Sequence, residues 1–89
     1  MNCVVIWLDG ADDQLAAAYL TAQARGAARA VTDAAARLES LLRSSATTFG
    51  ESRGGHRRFA VVRPLAVQFE VHEDEKVVIV TDVRYTPRR

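Results

Sequence analysis

The chain has 89 residues, of which 48% are apolar and 26% charged, and its net charge is +1. These values predict one globular domain over residues 1–89 with a single small core, and they exclude a chain that is disordered or basic overall. The lone cysteine, Cys3, excludes an internal disulfide and a cysteine-rich zinc site, and no apolar run approaches the roughly 20 residues of a membrane span.

The N-terminal half predicts a strand followed by two helices. Residues 3–8 are apolar, β-rich in composition and too short for a helix. Asp9 is the expected N-cap of a first helix over residues 11–25, and Gly26 ends it because glycine is costly inside a helix. A second helix is expected over residues 27–43, with one long helix through Gly26 as the alternative. The acids after the first strand, with no basic segment before it, do not fit a signal peptide, so we expect a cytoplasmic location.

Each helix has an apolar stripe at helical spacing that predicts its buried side. The stripe of the first helix is formed by Leu15, Tyr19 and Ala22. The stripe of the second helix is formed by Val31, Ala35, Leu38 and Leu42. A loop rich in serine, threonine and glycine follows over residues 44–55, and its Phe49 is expected to pack back onto the core.

The C-terminal half predicts three consecutive strands, because it is dense in valine, isoleucine and phenylalanine and is broken where turns are needed. The expected strands are residues 56–63, 65–71 and 77–84. Arg63-Pro64 forms the first tight connection, and polar residues 72–76 form the second. The apolar face of the middle strand needs a cover and consists of Leu65, Val67, Phe69 and Val71. The other face can stay in water and consists of Ala66, Gln68, Glu70 and His72.

The predicted element order is therefore β-α-α-β-β-β. We expect an α+β fold in which a helical hairpin packs on one face of a mainly antiparallel four-stranded sheet. The expected core consists of Leu15, Tyr19, Val31, Leu38, Leu42, Val67, Phe69 and Val71. The sequence leaves the order of the strands within the sheet open.

The element order and two segments of the amino-acid sequence resemble those of the RelE/ParE superfamily of toxins from bacterial type II toxin–antitoxin systems. The segment VVIWLDGADDQLAAAYL is similar to the first strand and acidic helix start of these toxins. The segment GESRGGHRRFAVVRPLAVQFEVHEDEKVVIVTDVRY is similar to their arginine-rich strand, their PL-x-V hairpin, their acidic turn and their last strand. The resemblance covers nearly the whole chain.

The resemblance implies one of two activities and a protein partner. Some members are ribosome-dependent endoribonucleases that cut messenger RNA, and others bind DNA gyrase without being nucleases. All are held inactive by an antitoxin that wraps the toxin, so a cognate antitoxin is the expected partner. The first hypothesis is messenger-RNA cleavage on the ribosome, and the alternative is a gyrase inhibitor or an attenuated toxin. Neither a cofactor nor a metal site is expected.

An arginine cluster and one histidine form the candidate site. RNA cleavage through the 2′-hydroxyl needs a base, an acid and cations that bind the phosphate, and arginine suits the last role. The expected catalytic residues are His56, Arg58, Arg84 and Tyr85. The expected RNA- or phosphate-binding residues are Arg53, Arg57, Arg63, Arg88 and Arg89. Four of these residues are expected to converge on the face of the sheet that stays in water: Arg57, Arg58, Arg84 and Tyr85. His56 is expected at the rim of this face.

The chain departs from the endoribonuclease members at several positions. Ala66 stands where they tend to have an arginine, and Thr86 and Pro87 stand where others have a histidine and a tyrosine. The only lysine, Lys76, lies beside the acidic turn. No endoribonuclease set is complete, which favours the gyrase-binding alternative. The arginine-rich segment 53–63 favours an anionic ligand such as RNA instead.

Overall fold

Two helices pack on one face of a five-stranded sheet in this computed structural model, which describes residues 2–87. The helices are α1 (Asp9–Ala24) and α2 (Ala28–Ser45). The strands are β1 (Val4–Trp7), β2 (Glu51–Ser52), β3 (Arg57–Val62), β4 (Leu65–His72) and β5 (Val77–Tyr85). A short 3-10 turn, Glu73–Glu75, joins β4 to β5. Across residues 2–87, neither helix has the length and apolar content to cross a membrane.

The strand order across the sheet is β1-β5-β4-β3-β2. β1 runs parallel to β5, and all other neighbours are antiparallel. The predicted α+β fold and the order of its main elements are confirmed. The sheet has five strands rather than the predicted four, because β2 forms an additional edge strand. Its two polar residues have no apolar alternation by which a sequence pattern would reveal a strand.

The two helices are separate, as predicted. The Gly26 N–H donates to the Gln23 carbonyl at 3.0 Å, and the Ala27 N–H donates to the Ala22 carbonyl at 2.8 Å. Gly26 has a φ of 73°, a left-handed value that glycine adopts without the strain a side chain would add. This helix-ending geometry rules out the alternative of one continuous helix.

The start of α1 differs from the prediction. The helix begins at Asp9, and Leu8 occupies the capping position without a side-chain hydrogen bond, so Asp9 is not an N-cap. Asp9 and Asp12 both lie in the first turn, where negative charge stabilises the positive end of the helix dipole.

The side of α1 that faces the sheet is lined by alanines rather than by the predicted tyrosine. Ala11, Ala18 and Ala22 are buried at the i, i+7, i+11 spacing of one helix face, and the half-buried Leu15 packs beside them. Tyr19 is 39% exposed, so its assignment to the core is wrong. Small side chains let α1 lie close to the sheet, whereas a tyrosine on the contact line would hold the helix farther away.

Six other residues of the predicted core are buried as expected, whereas Leu15 is only half-buried. The buried residues that the prediction named are Val31, Leu38, Leu42, Val67, Phe69 and Val71. Phe69 is fully buried, and its ring stacks with that of Phe49 at a centroid distance of 6.2 Å. Phe49 therefore packs back onto the core as expected, which brings the chain that follows α2 against the sheet.

A side chain of α1 closes part of the edge of β5. Because β1 ends at Trp7, β5 has no strand neighbour on that side after Val80 in the described part of the chain. The Val83 N–H donates to Gln14 Oε1 at 2.7 Å, and Gln14 Nε2 donates to Asp82 Oδ1 at 3.0 Å. The glutamine amide thus satisfies a backbone donor that a neighbouring strand would otherwise pair.

Candidate functional site

Arg57 and Arg84 lie on the face of the sheet opposite the helices, which we call the open face. Arg57 of β3 pairs with Glu70 of β4, and Arg84 of β5 pairs with Ala66 of β4. Both partners alternate along β4 with its core residues, so they point away from the helices. The two β4 positions are four residues apart, which is roughly 13 Å along the strand. Both arginines are on the predicted face, but they do not converge.

Acids accompany the arginines at and beside the open face. The Arg53 guanidinium lies 2.8 Å from Glu51 Oε1, and Arg84 Nε lies 3.3 Å from Asp82 Oδ2. Arg57, the third arginine of this region, lies opposite Glu70 in the sheet register. The carboxylates beside Arg53 and Arg84 offset the charge of these two guanidinium groups, so the region carries mixed charge rather than the positive surface that binds a phosphate backbone.

Arg58 lies on the helix-covered face, and its predicted position on the open face is wrong. It pairs with the buried Phe69 in the sheet register, and its same-face neighbour Ala60 is also buried. Arg58 Nε donates to the Phe49 carbonyl, and Nη2 donates to the Gly50 carbonyl, both at 3.1 Å. The chain after α2 packs against this side of β3, so the half-buried Arg58 holds that segment through its guanidinium.

The remaining candidates lie at the far end of the sheet and in the tail. Tyr85 pairs with Leu65 on the covered face and packs, half-buried, against the core, so it does not join the arginines of the open face. Arg63 Nη1 donates to the Thr86 carbonyl at 3.1 Å. The two residues of the predicted phosphate-binding set that lie outside the described residues are Arg88 and Arg89.

His56 stacks on a second histidine, His72, with ring centroids 4.5 Å apart. His56 Nδ1 is 3.1 Å from the Val71 carbonyl oxygen, which can only accept, so Nδ1 carries the proton of this bond. His72 Nε2 is 3.1 Å from Glu70 Oε1 and donates to it in the same way. In the neutral form the other nitrogen of each imidazole is an acceptor that has no hydrogen-bond partner among residues 2–87.

The histidine pair lines a cleft of about 440 Å³ at the end of the sheet. Its other walls include Thr47, Arg58, Val71 and the acidic turn Glu73–Glu75. The imidazoles can accept and donate protons there, but the carboxylates of the turn disfavour a phosphate. Among residues 2–87, no three histidine, cysteine, aspartate or glutamate side chains come together in a way that could hold a metal ion.

An apolar groove lies between the two helices, away from the sheet. It has a volume of about 350 Å³ and is lined by Asp12, Leu15, Ala16, Tyr19, Val31, Thr32 and Ala35. Apolar grooves of this kind accept the apolar side of an amphipathic helix from another protein. The exposed position of Tyr19, which the core prediction missed, is thus part of a surface suited to protein binding.

Solved toxin–antitoxin structures share the whole architecture. One is the chromosomal ParDE TA system from P. aeruginosa, with a TM-score of 0.74 and 19% sequence identity over 94% of this chain and 96% of the other. The chain has the RelE/ParE fold. A second match to this fold is the toxin–antitoxin complex RelBE2 from Mycobacterium tuberculosis, with a TM-score of 0.61 and 13% identity over 96% of this chain and 99% of the other. Comparisons with protein-family models and with curated proteins find no match.

The RelE/ParE fold confirms the predicted resemblance at the level of the architecture. At 13% and 19% identity the likeness concerns the fold alone. The catalytic and phosphate-binding roles assigned from the sequence stay predictions.

Proposed function

We propose that the chain is the toxin of a bacterial type II toxin–antitoxin pair. Two observations support the proposal: the RelE/ParE fold extends over nearly the whole chain, and both solved matches are toxin–antitoxin assemblies. The apolar groove between α1 and α2 suits a protein partner that covers it. The proposed partner is a cognate antitoxin, and the proposed location is the cytoplasm.

The proposed mode of action is binding to a protein target rather than cleavage of RNA. The observation that carries this choice is the division of the predicted catalytic set, since Arg84 lies on the open face while Arg58 and Tyr85 lie on the covered one. A base, an acid and cations must all reach one phosphate for RNA to be cut. Residues divided by the thickness of the sheet do not share one phosphate. Of the two activities that the resemblance implies, binding to DNA gyrase is the one with this mode of action.

The arginine contacts favour the same choice. Arg58 uses its guanidinium on two backbone carbonyls, and Arg53 and Arg84 each lie beside a carboxylate. A guanidinium that binds RNA phosphate must first give up such contacts, which costs binding free energy. Mixed charge on an exposed surface suits a protein target, where both signs find partners.

The second candidate function is messenger-RNA cleavage on the ribosome, and one observation favours it. The stacked His56 and His72 line a cleft, and each offers a free ring nitrogen in the neutral form. Such a pair supplies a proton acceptor and, once protonated, a proton donor. The acids Glu73–Glu75 in the same cleft count against a phosphate ligand.

Expression of the chain alone should arrest growth of a bacterial host, and co-expression of its neighbouring reading frame should restore growth. A toxin acts on an essential target, and an antitoxin that covers its exposed surfaces prevents this. Colony counts after induction measure the arrest, and a tag on one protein tests whether the two purify together. A chain that accumulates to a high level without an effect on growth, and that purifies without its neighbour, would contradict the proposal.

A variant that cannot fold is the matched control for this experiment. Leu38 is fully buried, and placing a charge there should prevent folding. Leu38→Asp should therefore lose both the arrest and the complex. Arrest that persists in this variant would come from the expression load and not from the folded toxin.

A further inference from the structure

The two edges of the sheet differ in chemistry. β2, at one edge, has two residues, both polar and exposed. β1, at the other edge, is apolar, and Val4, Ile6 and the following Leu8 are 61%, 43% and 46% exposed. We call these three residues the apolar row. Val4 and Ile6 pair with Val77 and Ile79 of β5, so the apolar surface continues into the open face.

Within residues 2–87, no other strand pairs with the outer side of β1. The Val4 N–H donates to the Lys76 carbonyl at 2.9 Å, and the Leu8 N–H donates to the Val80 carbonyl at 3.1 Å. In a parallel strand pair alternate residues turn both backbone groups toward the neighbour. Val5 therefore turns its N–H and C=O outward, as does Trp7 two residues later. Proteins guard such an edge with charges, proline or a bulge, and residues 4–8 carry none of these.

We propose that β1 pairs antiparallel with β1 of a second copy of this chain, so that the two sheets join into one across a two-fold axis through Ile6. In this register Val5 faces Trp7 of the second copy, and their outward backbone groups form hydrogen bonds on both sides of the axis. The pairing turns two free edges into a continuous ladder.

In this register the side chains of the apolar row face side chains of the same row in the second copy. Ile6 faces Ile6 of the second copy, and Val4 faces Leu8 of the second copy on the same open face. Every exposed member of the row thus meets an apolar side chain, and no charge is brought opposite another. This self-complementarity is what a closed two-fold interface requires, and it is the reason for assigning the edge to a second copy.

The proposal is separate from the toxin function. The joined edge lies at β1, whereas the histidine cleft is lined from β3 and β4, and the apolar groove lies between the helices. Pairing of β1 therefore leaves both of these surfaces accessible. A chain that proves not to be a toxin would still be expected to form the dimer.

The molar mass of the purified full chain tests the proposal. The chain, released from a complex or made by cell-free synthesis, should have about twice its monomer mass of 9.8 kDa at micromolar concentration by light scattering. Ile6→Lys should raise the dimer dissociation constant by at least about 100-fold, because two lysines would meet on the axis. Since the interface is apolar, added salt should leave the wild-type dimer intact.

Val61→Lys is the matched control. Val61 is 45% exposed and lies on the open face, but it belongs to β3, away from the proposed axis. This variant should dimerise like the parent chain. Circular dichroism should show both lysine variants folded, since both residues are exposed. A parent chain that stays monomeric, or a dimer that Ile6→Lys leaves unchanged, would overturn the proposal.

A cysteine on the axis tests the register itself. In a Cys3→Ala background, Ile6→Cys should form an intermolecular disulfide with added diamide, because facing Cα atoms of such a pair are about 4.5–5.5 Å apart. Val61→Cys should not. A monomeric Ile6→Cys variant whose introduced thiol is protected from thiol reagents only in a complex with another protein would assign the edge to that protein and overturn the proposal.

Discussion

Replacing Gly50 by alanine should lower the free energy of unfolding by about 3 kcal/mol. Gly50 has a φ of 75°, where a residue with a Cβ atom costs about 1–2 kcal/mol. A Cβ would also lie 2.3 Å from the Phe59 carbonyl oxygen and 2.9 Å from Ala60 Cβ. Overpacking of this kind costs about 1–3 kcal/mol more. Urea denaturation followed by circular dichroism measures the loss.

Gly54→Ala is the control that separates the two costs. Gly54 also has a positive φ, 94°, but no other atom of the described residues lies within 4 Å of where its Cβ would be. Its replacement should cost only the backbone part, about 1–2 kcal/mol. Equal losses in the two variants would show that the close approach of Gly50 to β3 is not a feature of the folded chain.

Replacing Arg58 by alanine should lower the free energy of unfolding by about 2 kcal/mol. The guanidinium is the donor to the Phe49 and Gly50 carbonyls, and its loss leaves both of them without that partner. Arg84→Ala is the control: its side chain is 76% exposed, and the change should be within about 0.5 kcal/mol. Denaturant titration of both variants gives the comparison.

The two arginine variants also separate a structural role from a functional one. If Arg58 bound phosphate and did not hold the fold, Arg58→Ala would be as stable as Arg84→Ala. That result would contradict the placement of Arg58 on the covered face. If Arg58→Ala is the less stable variant, as we expect, a loss of growth arrest in that variant alone reflects the lower stability and does not indicate a role in binding.

The fold could be predicted because its main patterns report burial directly. The alternation through Val67, Phe69 and Val71 assigns the covered face of β4, and the stripe of α2 assigns the side with Leu38 and Leu42; all five are buried as expected. Gly26 marks the break between the helices because its left-handed φ suits glycine. Each of these signals is local and has one physical cause.

The faces of β3 could not be predicted from the apolar pattern of that strand alone, because the two faces are nearly equal in apolar content. Ala60 is the residue that turns toward the core, since the chain after α2 crosses there and needs a small side chain. Phe59 stays on the open face, where the Arg53 guanidinium covers its ring at 4.9 Å. Both causes are tertiary contacts. These contacts place Arg58 on the covered face, opposite to the predicted one.

The sequence contains enough information to predict the histidine pair, although the sequence analysis does not predict it. The tight connection at Arg63-Pro64 sets the register of β3 against β4, so residues at equal distance from it become neighbours. Counting outward brings His56 beside Val71, next to His72, as the backbone bond from the Val71 N–H to the His56 carbonyl at 2.9 Å shows. The local pattern places His56 at a strand start and His72 in a turn, so it does not by itself indicate that the two histidines are neighbours.

We propose that this RelE/ParE-fold chain acts on a protein target and not on RNA. Adding the purified chain to a gyrase supercoiling reaction and to messenger RNA on translating ribosomes distinguishes the two modes of action. We expect loss of supercoiling with intact messenger RNA. His56→Asn, whose amide can keep the bond to the Val71 carbonyl, should change inhibition by less than about twofold. Messenger-RNA cleavage that falls by about 10²–10⁴-fold in His56→Asn, with supercoiling unaffected, would contradict the claim.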